Sequence, residues 1–478
     1  MALRRQISES RASYPDPIGG INLRSSEQDL RPGEARLMQN MIYDGGTRSR
    51  LGSGRITSST LDATKRIRGL YKFYYGGANP TGKRLVAYDT NISVIADNGT
   101  ETSLNTGMTS DLDTYFSTWT ITDKVYISNN TDTLREYDGT TFATVSGTAI
   151  PIARGPVCPI LDRLMAITVN GIERTDPRDP TIWSTNSGWA TLRPQQPGLF
   201  TVLHPATLKG TDSLYPGALA FQSNAYYLIT GTDFGDDVTS ATASSGEDAA
   251  IQLIDPRVGT SSPYSVVTVP GVGVFWFTSE LNVYMIPEGG LIGRFVGDKL
   301  ISNGTTDGIE NINKSALSQV WMVHYNRYLI LGVPMGSNNY PSTQFWLDLR
   351  SLDSVPSSME RVDAGIVWYG PMTGQTVGRA FAELQTGDRR LTGGEGNAAT
   401  GAFVYELQKA STYTDAIGTT DTNIDCKYQT YFADFGAPTR EKYVTSVHYD
   451  LQIPSGTALT NIYDLDGLVQ SNITIEEV

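Results

Sequence analysis

From Arg66 onward the chain alternates apolar and polar residues in short runs, the two-residue period of strands with one buried face. Runs at 69–75, 84–89 and 92–99 make a first round, and runs at 116–121, 124–128 and 134–145 a second. A third occupies 155–160, 163–169 and 181–184. Asn-Gly, Asp-Gly or equivalent pairs mark the hairpins between runs. Later rounds are less regular: 218–221 with 225–230, 273–277 with 281–286, then 321–325, 328–333 and 343–348, and finally 377–381 through 403–407. A period of about 40 residues with three or four strands per unit predicts an all-β chain built as a β-propeller of about six or seven blades. A series of β-sandwiches is the competing architecture, and no WD dipeptide marks the repeats.

The regular pattern leaves an irregular opening, residues 17–54. It holds Gly19-Gly20-Ile21-Asn22, a Gly45-Gly46 bend and a run of arginines at Arg48, Arg50 and Arg55. Pro32 near a first helical position, with Glu34 in the first turn, predicts a helix of two to three turns over roughly residues 31–40, with Leu37, Met38 and Met41 as its buried stripe. The organisation expected is therefore an extended N-terminal arm with a short helix (1–64), a propeller (65–410) and a small C-terminal β module (411–478). The module is set apart by longer apparent strands at 425–435 and 443–453. Residues 231–250, acidic and rich in small side chains, read as a long exposed loop. The last residues read as a strand in mid-course, so the expectation includes a sheet cut short or completed by a partner.

Composition supports the β reading, with 48 glycines and 25 tyrosines against 14 phenylalanines, the balance expected when ring bodies are buried and hydroxyls stay wet. Charge changes the picture more. The chain carries a net charge of −13; residues 1–70 hold twelve Lys/Arg and seven Asp/Glu, net +5, which leaves −18 for the rest. A body so acidic repels a nucleic-acid backbone, whereas the arm is basic. The start lacks the apolar run of a signal peptide and no stretch has the length of a membrane span, so synthesis in a cytoplasm and no membrane span are expected.

Candidate chemistry is sparse. Gly77 to Lys83 fits a phosphate-cradling G-x-x-x-x-G-K pattern, but Arg84 stands where Ser or Thr is needed and strands flank it on both sides, so it reads as a hairpin turn. Asp464-Leu465-Asp466-Gly467 resembles part of a calcium loop without its distal glutamate. Glu173, Asp176 and Asp179 cluster beside arginines, a salt-bridged turn by default, and they give a carbohydrate-binding or glycoside-cleaving propeller its place as the alternative function. Cys158 and Cys426 fit neither a disulfide framework nor a metal site, and His204, His324 and His448 are widely spaced. No nucleophile has a histidine partner in its sequence context, so no enzyme, metal or cofactor is expected.

Three stretches carry a resemblance. Gly19-Gly20-Ile21-Asn22, the segment ending at Asn40-Met41, and Gly46-Thr47-Arg48-Ser49-Arg50-Leu51-Gly52 together resemble the opening of the tail hub, or nozzle, proteins of short-tailed bacteriophages, also described as packaged-DNA-stabilising proteins. Residues 174–184 and 433–444 echo the same family. The resemblance implies a non-enzymatic virion protein of the phage tail, assembled in the host cytoplasm: a propeller subunit in a six-fold ring below portal and adaptor. Such a ring closes the DNA channel, takes part in DNA retention and ejection, and carries tail fibres or spikes. An acidic lumen would let genomic DNA pass without sequence-specific binding. The arm arginines Arg31, Arg36, Arg48, Arg50 and Arg55 are then the assembly candidates, and removal of residues 1–55 is expected to leave a soluble propeller unable to assemble or dock.

Overall fold

The computed structural model describes residues 16–26, 29–77, 80–148, 150–183, 194–209, 214–230, 250–290, 293–302, 307–354, 365–385 and 388–429, and four short strands between 458 and 476. Contacts divide the chain into two compact units, residues 13–432 and a second unit of 1–12 with 433–478.

Within the first unit, seven four-stranded antiparallel sheets follow one another along the chain. Their strands span 67–105, 115–144, 158–183, 202–255, 267–295, 321–372 and 377–407, and are named here blades one to seven. The chain is thus a seven-bladed β-propeller. The first strands of neighbouring blades pack on one another, which puts them at the axis and the fourth strands at the rim. Short turns set the register. In blade one Tyr88 pairs with Asn91, leaving the two-residue turn Asp89-Thr90, with Asp89 at φ 44°. In blade six Tyr325 pairs with Tyr328 around Asn326-Arg327, with Asn326 at φ 53°.

The core lies between the blades. Phe73, Leu85, Ile92 and Val94 of blade one pack with Val125, Ile127 and Tyr137 of blade two, and comparable apolar groups fill the successive interfaces. The six tryptophans among the described residues, Trp119, Trp183, Trp276, Trp321, Trp346 and Trp368, are all buried. Blades four and five meet through an aromatic cluster in which Trp276 of blade five lies edge-on 5.1 Å from Phe221 and 5.2 Å from Tyr226 of blade four.

Blade seven is completed from the start of the chain. Its three sequential strands, Val377–Gln385, Asp388–Glu395 and Val404–Leu407, receive a fourth from Gly54–Arg55, which pairs antiparallel with Tyr405 and Glu406. The expected helix over 31–40 is absent. Glu34–Ala35 pairs in parallel with Gly20–Ile21, and Leu37–Gln39 pairs antiparallel with Lys427–Gln429. Tertiary context overrides the local helix signal, because backbone partners wait on both sides of this segment. The described residues of the arm, from Asp16 on, fall in the same compact unit as the blades.

In the second unit, Ala458–Asn461 pairs antiparallel with Ile473–Glu476, and Asp464–Leu465 with Leu468–Val469. The calcium-like Asp464–Gly467 stretch thus begins in a hairpin, and the final run has a partner strand in its own chain. The acidic loop expected at 231–250 falls almost wholly outside the described residues, as do most of the longer strands expected at 425–435 and 443–453.

Candidate assembly site: the N-terminal segment, the ring seam and the axis

The opening segment runs along the rim of blade six and into blade seven, and its unusual residues explain themselves there. Gly20 sits at φ +67°, and a β-carbon on it would lie 2.2 Å from the Trp368 carbonyl oxygen of blade six. Only glycine fits both constraints. Asn22 Nδ2 donates to Glu34 Oε2 at 2.9 Å, and Lys299 Nζ reaches Glu34 Oε1 at 2.8 Å. Burial would raise the Glu34 carboxyl, but hydrogen bonds from Lys299 and Asn22 and the Lys299 charge outweigh it and hold the group below the usual range. Asn40 is a four-way junction: its Nδ2 donates to Asp425 O at 2.7 Å, while its Oδ1 accepts from Arg50 Nε at 3.0 Å and from the Thr373 amide at 2.8 Å. Its own amide donates to Pro371 O at 3.0 Å.

The five arm arginines separate into two kinds. Arg50 is 2% exposed; its Nη1 donates to Asp415 Oδ1 at 2.8 Å and its Nη2 to Thr373 O at 2.9 Å. Arg36 is buried and donates to the carbonyls of Leu23 and Ser25. Arg55 pairs with Asp421 at 2.8 Å and donates to Gly418 O. Arg48, 56% exposed, pairs with Asp44 at 2.6 Å, and Arg31 is exposed. Arg36 and Arg50 thus spend their guanidiniums inside the propeller and Arg55 is half-buried against Gly418 and Asp421, which leaves Arg31 and Arg48 as the arm arginines open to a neighbour. Gly52 packs so tightly that a β-carbon would stand 2.0 Å from Thr414 O.

Where blade one meets blade seven, an ion network fastens the ring. Arg84 of blade one donates to Glu383 of blade seven through Nε at 2.5 Å and Nη2 at 2.8 Å, and also reaches Asp97 at 2.8 Å. Lys72 Nζ lies 3.4 Å from Glu383, and Arg390 of blade seven bridges Asp97 at 3.3 Å and Glu406 at 2.7 Å. Burial raises the Glu383 carboxyl; Arg84, by hydrogen bond and charge, and then Lys72 overcome this and depress it. Ile56, just past the closing strand, joins Ile67, Leu70, Val86 and Val404 in the apolar group beneath.

At the axis, a segment leading into blade five crosses the ring. Tyr264, from the short 3-10 turn Pro263–Ser265, donates its hydroxyl to Thr114 O at 2.6 Å or Arg68 O at 3.0 Å, and stacks on Tyr115 with centroids 4.9 Å apart. The guanidinium of Arg379, from the first strand of blade seven, lies 3.8 Å over the Tyr264 ring and donates to Asp113 at 2.7 Å. Ser262 donates to Ser318 O at 3.1 Å beside the entry to blade six. Blades one, two, six and seven are tied here by one loop.

The other sequence candidates resolve into structure. Gly77–Lys83 lies in the hairpin between Ile67–Tyr75 and Thr81–Tyr88, with residues 78–79 outside the described set. Glu173 is buried and accepts from Thr168 Oγ1 at 2.8 Å, while Asp176 and Asp179 flank the hairpin in blade three. His204 Nε2 meets Thr268 Oγ1 at 2.8 Å and His324 Nε2 meets Asn326 O at 2.8 Å; His448 lies outside the described residues. Among the described residues no group of three or more His, Cys, Asp or Glu is placed to hold a metal, and no helix is long and apolar enough to cross a membrane. Asp415, Glu383 and Tyr264 were not singled out by sequence, because each acts through a partner more than a hundred positions away.

The sequence matches no protein-family model and no curated protein. Two solved structures are similar in course. One is the extracellular domain of a putative hybrid two-component system from B. thetaiotaomicron, 9% identical, TM-score 0.44, covering 76% of this chain. The chain spans 40% of that protein's length. The other is YCF48 from Cyanidioschyzon merolae, 9% identical, TM-score 0.40, covering 74% of this chain and 98% of that one. The blade count here rests on the strand pairing itself.

Proposed function

We propose that this propeller is a structural, non-enzymatic subunit of a phage tail: a nozzle or hub protein that assembles with copies of itself into a ring below the portal and adaptor. The ring holds back packaged DNA and lets it out at ejection, and presents an attachment for fibres or spikes. One observation carries the reading. The opening stretch that resembles the family contributes Gly20, Asn22, Asn40, Arg50 and Gly52, the residues on which the rim of blades six and seven is built. The net charge of −13 supports it, since an acidic surface lets a polyanion slide without counterion-release affinity. Because the Tyr264 loop reaches from the entry of blade five to blades one and two, the DNA path in this reading is enclosed by the ring of copies and does not thread a single propeller.

Antibody labelling of purified particles tests the reading. Label confined to the tail is the expected result, and particles free of the protein would overturn it. A glycan array and a panel of chromogenic glycosides test the carbohydrate alternative; signal on either, with unlabelled particles, would put that reading in its place.

A further inference from the structure

In each of the seven antiparallel blades the end of the first strand and the start of the second lie at the same end of the propeller, as do, in blades one to six, the end of the third and the start of the fourth. Contacts between the turns there bear this out: the Gly76 amide of blade one donates to Asp123 of blade two at 2.9 Å, and the Arg178 amide donates to Asp162 O at 2.6 Å within blade three. At this end, blades two and three expose two large apolar tips in equivalent turns, Ile121 (45%) and Leu161 (42%). Leu161 sits at φ 53°, a left-handed conformation that is unfavourable for a leucine. The same turn of blade six puts Asn326 there at the same angle, the residue type that tolerates it. A leucine that is both strained and wet has no fold-based reason to be one.

Around these tips stand Asp123, Asp138, Asp162, Asp176 and Asp179, with Arg178 as the exposed cation among the described residues of the four turns. Blade six lies three blades from blade three in one direction and three from blade two in the other, hence at the opposite edge. At the same end it gathers Arg48, Arg327 and Arg350 around Asp44 and Asp348, with Arg48 and Arg350 56% and 61% exposed. One edge is acidic with apolar tips; the other is arginine-rich, and arginine stems cover apolar surface while their heads pair with acids.

We propose that the blade two–three edge of one copy docks on the blade six edge of the next. Ile121 and Leu161 lie under the stems of Arg48 and Arg350, and Asp162 and Asp176 face their guanidiniums. Distinct patches on opposite edges make a head-to-tail contact, the kind that closes into a ring by rotation. The inference rests on the ring reading above and gives it an interface.

The test uses the full chain with Cys426→Ser. Mixed Leu161→Cys and Arg48→Cys copies are expected to form a disulfide-linked dimer on oxidation, whereas Leu161→Cys mixed with Asp89→Cys, a site in a blade-one turn at the other end, does not. Asp162→Lys with Asp176→Lys should raise the protein concentration for half-assembly at least tenfold, with thermal unfolding unchanged. Adding Arg48→Glu and Arg350→Glu should restore assembly. Rings that form unaltered by the reversal and never cross-link at 161–48 overturn this interface and leave the ring reading standing. A chain that is monomeric at every concentration and unlinked overturns both.

Discussion

Arg50 and Asp415 meet at 2.8 Å across 365 positions of sequence, with both side chains almost fully buried. The pair ties the arm to the hairpin that follows blade seven, one layer outside the strand Gly54–Arg55 that completes that blade. Closing a propeller joins chain ends that are distant in sequence, so the entropic cost of closure falls on this seam. Here the seam has three fastenings: the added strand, the Arg50–Asp415 pair and the Arg84–Glu383 network.

Removing one partner of the buried pair leaves the other charged and unpaired. Asp415→Ala is expected to lower unfolding stability by about 3–5 kcal/mol. Arg48→Ala, which breaks an exposed pair with Asp44, should cost under about 1 kcal/mol. Urea titrations of the two variants check this, and similar losses in both would contradict the ranking.

Deletion of residues 1–55 takes away the fourth strand of blade seven and bares the edge of Val404–Leu407. An uncovered edge invites pairing with other chains. The truncated protein should therefore aggregate or lose its cooperative transition, in place of the soluble propeller expected when the arm is taken as separable. Size-exclusion chromatography with a thermal melt decides the matter; a soluble monomer with the full-length melting temperature would refute it.

The Glu383 carboxyl is depressed in the folded chain, burial being outweighed by Arg84 and Lys72. Its contribution to stability is thus fully present above the ordinary glutamate range and is lost as pH falls through that range toward the folded value. Stability measured from neutral to acid pH should fall more steeply for the native chain than for Glu383→Gln. Parallel curves would mean that the network does not carry this linkage.

Tyr264 makes a graded test of the axis. Tyr264→Phe removes the hydroxyl from Thr114 O and Arg68 O and should cost about 1 kcal/mol. Tyr264→Ala also removes the ring beneath Arg379 and should cost about 3–5 kcal/mol. Equal effects would show that the ring contributes nothing beyond its hydroxyl.

The propeller was legible because strand period and turn residues are local: Asp138-Gly139 and Asn170-Gly171 mark their hairpins in two letters. The arm was misread for the opposite reason. Pro32 and Glu34 send a local helix signal, but the partners that draw residues 34–39 into strands are Gly20–Ile21 on one side and Lys427–Gln429 on the other. The arm arginines stand out in sequence as assembly candidates, yet sequence offers no way to see that Arg50 is buried against Asp415 while Arg48 makes an exposed pair with Asp44. Tyr264 gave no signal at all, since its partners come from blades one, two and seven.

Native mass spectrometry of the purified full-length chain, with electron microscopy of the same sample, tests the central claim most directly. The account predicts a closed ring of identical copies, six-fold as the family resemblance implies, each copy a seven-bladed propeller. A chain that remains monomeric across the concentration range, and is missing from particles, would contradict it.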